Sequence, residues 1–187
     1  NSMISIPKDI AVVVMDTGTR RELKLSEYNQ RRESCESAAL ELGIPSLRNA
    51  SIEDIENLTN QTLQQRARHV VSENQRVLDV VKAFSIGDSL TAGRLFCESH
   101  LSLRDDYNVS GPALDKIVEV ALDAPGCFGA RMTGGGFAGS AVALVTKGEV
   151  AHFCDFVSKN FECPQNQPAF APTRIYPVDA CAGVSVI

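Results

Sequence analysis

The chain has 187 residues, 44% of them hydrophobic and 22% charged, with a net charge of −5. That is enough for one sizeable core and is ordinary for a globular protein. Arg20-Arg21 and Arg31-Arg32 are isolated basic pairs and no apolar run nears the roughly 18 residues of a membrane span, so neither nucleic acid nor membrane is expected as a partner.

Ile10-Ala11-Val12-Val13-Val14-Met15, ended by Asp16-Thr17-Gly18, reads as a strand buried on both faces. Ser26 can cap a helix running to about Leu42, where Gly43 and Pro45 stop it. Tyr28, Cys35, Ala39 and Leu42 then share one inward face. A short helix is expected over 51–58, with Glu53 and Asp54 at its positive end. A longer one covers 61–84, with Val70, Val77, Val81 and Phe84 repeating on one face. Gly87-Asp88 breaks it before another helical stretch to about Leu103. Ser110-Gly111-Pro112 opens an amphipathic helix with Leu114, Ile117, Val118, Ala121 and Leu122 inward, ended by Pro125-Gly126. A strand, a glycine-rich loop and a second strand over 140–145 follow. A helix after Lys147-Gly148 and two short strands, around 169–176 and 182–187, complete the chain. This order predicts an α+β domain with an antiparallel sheet backed by helices, ferredoxin-like with an inserted helical bundle.

The loop itself, Gly129-Ala130-Arg131-Met132-Thr133-Gly134-Gly135-Gly136-Phe137-Ala138-Gly139, is the most informative stretch. Glycine adopts positive φ without steric cost, so successive N–H groups of Gly134, Gly135 and Gly136 can turn toward one anion. A tight turn against neighbouring backbone is the other reading. No Gly-Lys-Ser/Thr follows, so this is not a Walker loop.

Six cysteines stand at 35, 97, 127, 154, 163 and 181, none in Cys-x-x-Cys spacing, and the three histidines pair with none of them at a zinc-like interval. Buried reduced thiols, no metal site and a cytoplasmic setting are the expectations. Adjacent acids in a helix point about 100° apart, so Asp105-Asp106 reads first as a turn in which Arg104 pairs with a neighbour. Asp16, at a strand's C-terminal end, and Arg20, four residues on, are further candidate ligand contacts. No Ser/His/Asp set or Gly-x-Ser-x-Gly elbow can be assembled.

Five stretches together resemble the C-terminal half of the galactokinases, members of the GHMP family of small-molecule kinases. They are Asp16-Thr17-Gly18-Thr19-Arg20-Arg21-Glu22-Leu23, Ser26-Glu27-Tyr28-Asn29-Gln30-Arg31-Arg32, Arg68-His69-Val70-Val71-Ser72-Glu73-Asn74, Glu98-Ser99-His100-Leu101-Ser102-Leu103-Arg104-Asp105-Asp106-Tyr107, and the run from Gly129 to Phe137. The resemblance implies ATP- and Mg2+-dependent phosphorylation of galactose at C1. It implies a junction segment over 1–24 and a GHMP kinase C-terminal domain over 25–187. Tyr28 matches the tyrosine whose hydroxyl contacts the sugar. Gly134, Gly135 and Gly136 match a motif beside the active site that supports the phosphate-binding loop. Ala138 stands where the family usually has glycine, which puts close backbone approach there in question.

The family's N-terminal sugar segment, Gly-Leu-Ser-Ser-Ser phosphate loop, magnesium-binding acid and catalytic aspartate are not found in these 187 residues. No catalytic residue or metal ligand is therefore assigned, and this chain alone is expected to lack kinase activity and to bind neither ATP nor Mg2+. Apolar surface near residues 10–15 and the glycine loop, which the other half would cover, is expected to drive self-association into a dimer. A non-catalytic sugar-sensing or regulatory domain, and a kinase acting on N-acetylgalactosamine, stay open as alternatives.

Overall fold

Four strands form one antiparallel sheet: β1 (Ile10–Asp16), β2 (Cys127–Met132), β3 (Ser140–Thr146) and β4 (Arg174–Val178). They lie in the order β2-β3-β1-β4 in the computed structural model, which describes residues 4–20 and 25–180. β1 pairs with β3 from Ile10↔Thr146 to Asp16↔Ser140 and with β4 from Val12↔Val178 to Asp16↔Arg174. The strand expected at a junction is thus an inner strand, and its β-branched run suits that place.

Alternation along the strands divides the side chains between two faces. Val13, Met15, Ala130, Ala141, Ala143 and Val145 meet α5 (Pro112–Leu122) and α6 (Val150–Asn160), where Ile117, Val118, Phe153 and Val157 are buried with them. Pro112 at the first helical position suits α5, since its missing N–H would lack an intrahelical partner anyway. The opposite face carries Ile10, Val12, Leu144 and Phe128 against α3 (Gln61–Ser85) and α4 (Ser89–Leu101). There α4 crosses β2 at Gly93 and Gly129. A Cβ on Gly93 would stand 2.0 Å from Phe128 O, and one on Gly129 2.0 Å from Gly93 O, so only a glycine pair permits the approach. β1 is fully buried at Val13 and Met15, but Val12 and Val14 are only half-buried, so the expectation of burial on both faces holds for part of the strand.

The inserted bundle consists of α1 (Leu25–Glu41), α2 (Ile52–Ile55) and α3, around Ala38, Ala39, Leu47, Ile55, Leu58 and Ala67. The described part of α1 starts at Leu25, so Ser26 is already helical rather than a cap. The helix expected over 51–58 is the single turn α2, closed by a capping box in which Ser51 and Asp54 bond reciprocally. Asn60 caps α3 and Asp88 caps α4 through side-chain oxygens. On α3 the buried side chains are Arg66, Ala67, His69 and Ala83, while Val77 is exposed. The apolar face read along this helix is therefore incomplete, because α4 and the bundle cover it from two sides.

α4 runs on into a π-helical turn, Ser102–Asp106, instead of ending at Leu103. At the C-terminus one strand, β4, occupies 174–178; the strand expected over 182–187 lies outside the described residues, as do Arg21 to Lys24. The five described cysteines carry free thiols.

Candidate active-site cleft

The β2–β3 connection turns tightly because Gly134, Gly136 and Gly139 have φ of 75°, 79° and 99°, and Phe137 follows suit at 66°. Thr133 N donates to Ser140 O at 2.9 Å and closes its base. At its far end, Phe137 N donates to Val109 O at 2.6 Å, and a Cβ on Gly136 would stand 2.1 Å from that same oxygen. Gln167 clamps the turn: its Nε2 donates to Phe137 O, while its Oε1 accepts from Ala113 N at 2.9 Å. The loop is therefore a rigid wall as well as a concave one.

Thr17 and Thr19 anchor it to β1. Both side chains are fully buried, with hydroxyls 2.7 Å apart. Thr17 binds Gly139 O through both N and Oγ1, and Gly139 N donates to Thr19 Oγ1 at 3.3 Å. The next residue, Arg20, grips Asp16 with Nη1 to Oδ1 at 2.9 Å and Nη2 to Oδ2 at 3.1 Å. The Arg20 hydrogen bonds hold the Asp16 carboxyl below its ordinary range against the opposing effect of partial burial, so it is ionised at neutral pH.

These groups enclose a cleft of about 460 Å³ lined by Thr19, Arg20, Thr133, Gly134 to Gly136, Ala138, Gly139 and Ser140. Arg20 and the three sequence-assigned glycines come together here, and Asp16 joins them through Arg20. Among the described residues, the N–H groups of Gly134, Gly135 and Gly136 have no hydrogen-bond acceptor. Free amides beside a half-exposed guanidinium fit an anionic oxygen of phosphate type. Ala138 is not in the left-handed region, so its methyl is accommodated without backbone strain.

Tyr28 stands elsewhere. It does not line the cleft and is 70% exposed. The inward stripe of α1 takes in Cys35, Ala39 and Leu42 but stops short of Tyr28, because the apolar cluster reaches only to Cys35. One turn before Cys35, Arg31 is half-buried against the backbone of Tyr107 and Asn108.

The acidic pair separates as expected of adjacent helical acids. Arg104 binds Asp105 at 2.7 and 2.9 Å, whereas Asp106 turns to Ser102 and Arg68. Behind them, buried His69 stacks on Tyr107 with ring centroids 4.3 Å apart, and its Nδ1 lies 3.0 Å from Ser102 Oγ. Burial pushes the His69 imidazole down to about 4. Thr17, Thr19, Phe137, Gln167 and Arg31 were not assigned from sequence. The threonines flank Gly18 directly, a signal that was available; Gln167 sits in an unpatterned polar loop and left none.

A family model for GHMP kinases C terminal matches residues 80–163. The galactokinase of Chloroflexus aurantiacus is 48% identical over 158 residues, 80% of this chain and 40% of that protein. The Homo sapiens galactokinase is 43% identical over 161 residues, 84% of this chain and 41% of its own length. The structure of Lactococcus lactis galactokinase complexed with galactose superposes with a TM-score of 0.82 at 36% identity, covering 91% of this chain and 45% of that one. L. major mevalonate kinase in complex with R-mevalonate, 19% identical with a TM-score of 0.63 over 97% of this chain and 46% of its own, shares the fold. The chain spans about 40% of the length of these curated relatives. The expected antiparallel sheet with helical insertion is the one observed, and the chain carries a GHMP kinase C-terminal domain of the form found in galactokinases.

Proposed function

We propose that this domain forms one wall of the active site of an ATP-dependent galactose 1-kinase, with the glycine loop and Arg20 set against the nucleotide phosphates. The observation that carries this reading is the 0.82 TM-score, at 36% identity, to a galactokinase complexed with galactose. The cleft agrees with it chemically, since the unbonded amides of Gly134 to Gly136 and the Arg20 guanidinium are donors suited to phosphoryl oxygens. ATP supplies the phosphoryl group and Mg2+ neutralises its developing charge. Mg2+ in such sites is held by one or two carboxylates together with substrate phosphates, and we assign those carboxylates to the N-terminal half of a galactokinase. Tyr28 is assigned to galactose, because its exposed ring on the first turns of α1 leaves the hydroxyl free to meet a ligand. A cytoplasmic setting goes with this reading; no described helix is long and apolar enough to cross a membrane.

A coupled kinase assay on galactose tests it, run on this chain alone and on a longer protein in which it follows a galactokinase N-terminal half. Turnover by the longer protein and none by the 187-residue chain is expected. Turnover by the short chain, or preference of the longer protein for N-acetylgalactosamine, overturns the corresponding part of the proposal.

A further inference from the structure

Arg31 touches three residues in two separate segments. Its Nε donates to Tyr107 O at 2.8 Å and its Nη2 to Asn108 O at 2.6 Å, two successive carbonyls just beyond the π-helical turn. Its guanidinium carbon also lies 6.0 Å from the centroid of the Phe137 ring, at the end of the glycine loop. Asn108 and Phe137 are the two described non-glycine residues held at positive φ, 55° and 66°. Such conformations persist where surrounding groups over-determine them, and Arg31 bears on both. The segment it grips bonds the loop directly, since the next residue, Val109, accepts from Phe137 N. Three residues before Arg31, on the same side of α1, stands Tyr28.

We infer that Arg31 is a positioning residue that fixes the Tyr28 turn of α1 relative to the glycine loop. This rests on the function proposed above for Tyr28 and the loop. The forked geometry explains the residue type. A guanidinium serves two carbonyls from one plane and presents a flat face to an aromatic ring, which an ammonium cannot do. Loss of the fork leaves Tyr107 O and Asn108 O without these donors and frees Phe137 on one side. The sugar-side helix and the phosphate-side loop then lose their common reference, although no atom of Arg31 need touch a ligand.

Two measurements test this independently. In the 187-residue chain, Arg31→Gln is expected to speed hydrogen exchange of the Phe137 amide by roughly tenfold or more while the central β3 amides of Val142 and Leu144 keep their protection. Unchanged exchange at Phe137, or the same acceleration everywhere, overturns the strut. In the longer galactokinase-type protein, Arg31→Gln is expected to raise the galactose KM and lower kcat, with Arg31→Lys recovering part of each. Tyr28→Phe should then cost less in the Arg31→Gln background than alone, because both act on one contact. Independent, multiplying effects overturn the coupling. Should the longer protein not phosphorylate galactose, the functional reading fails, and the exchange result still decides whether Arg31 holds the loop.

Discussion

Thr17 holds Gly139 by its only carbonyl, with Thr17 N at 3.0 Å and Thr17 Oγ1 at 2.7 Å from Gly139 O. The two residues come from the end of β1 and the end of the glycine loop, and their bond makes the cleft a continuation of the sheet rather than a free turn. Thr17→Val keeps the shape and removes the hydroxyl, leaving buried Thr19 Oγ1 short of a partner. The expected cost is about 1–2 kcal/mol, seen as a fall in Tm of roughly 2–8 °C by calorimetry. An unchanged Tm would mean that the hydroxyl pair contributes nothing net.

Gly134 and Gly136 share a left-handed backbone but not a neighbourhood. Nothing lies within 4 Å of a Cβ at Gly134, whereas at Gly136 it would meet Val109 O at 2.1 Å. Gly134→Ala is expected to cost about 1–2 kcal/mol from backbone strain alone. Gly136→Ala adds a backbone collision and is expected to exceed about 3 kcal/mol or to prevent folding. Urea denaturation of both variants checks the order, and equal losses would contradict this loop geometry.

His69 makes the chain acid-sensitive. Its imidazole titrates near 4 in the folded protein because burial penalises the cation, and near about 6.5 once unfolded. Between those values the unfolded chain binds more protons, so stability falls as pH is lowered through the window, by on the order of 3 kcal/mol at pH 4. His69→Gln is expected to flatten the dependence of Tm on pH between 6.5 and 4. A slope that survives the substitution would assign the effect to other groups.

Asp16 acts in a lower range. Its folded carboxyl is held down first by the Arg20 hydrogen bonds, so its contribution is present above about pH 4 and lost as pH falls through the lowered value. Arg20 is half-exposed, and solvent screening keeps the effect modest. Asp16→Asn is expected to trim the stability difference between pH 5 and pH 2. The measurement is a Tm series across that range, and an identical acid limb in both proteins would remove the pair from the account.

Residues 10–15 are buried or half-buried within the sheet, so the exposed apolar side chains lie elsewhere, among them Ile4, Val77 and Leu78. The isolated chain is expected to self-associate through such surface. Light scattering over a range of concentrations reads this, and a constant monomer mass counts against it.

Periodicity located most of the helices, because burial of one face writes itself into residues three and four apart, and β-branched apolar runs marked the inner strands. It did not foresee that 51–58 closes as a single turn. The sequence also located the glycine loop, since positive φ demands a particular residue. In the sequence Asp16 and Arg20 are marked by their place at the end of a strand, and Gly134 to Gly136 by their residue type. Only the tertiary structure decided what these residues meet. That Arg20 shares a cleft with the loop follows from β1 lying beside β3, a pairing 120 residues or more apart in the chain. That Tyr28 is exposed follows from where the helical cluster ends, which a helical stripe does not record. The grip of Arg31 on Tyr107, Asn108 and Phe137, and of Gln167 on the loop, left no pattern either. A polar side chain that bonds distant backbone carbonyls needs only reach and direction, and neither has a period.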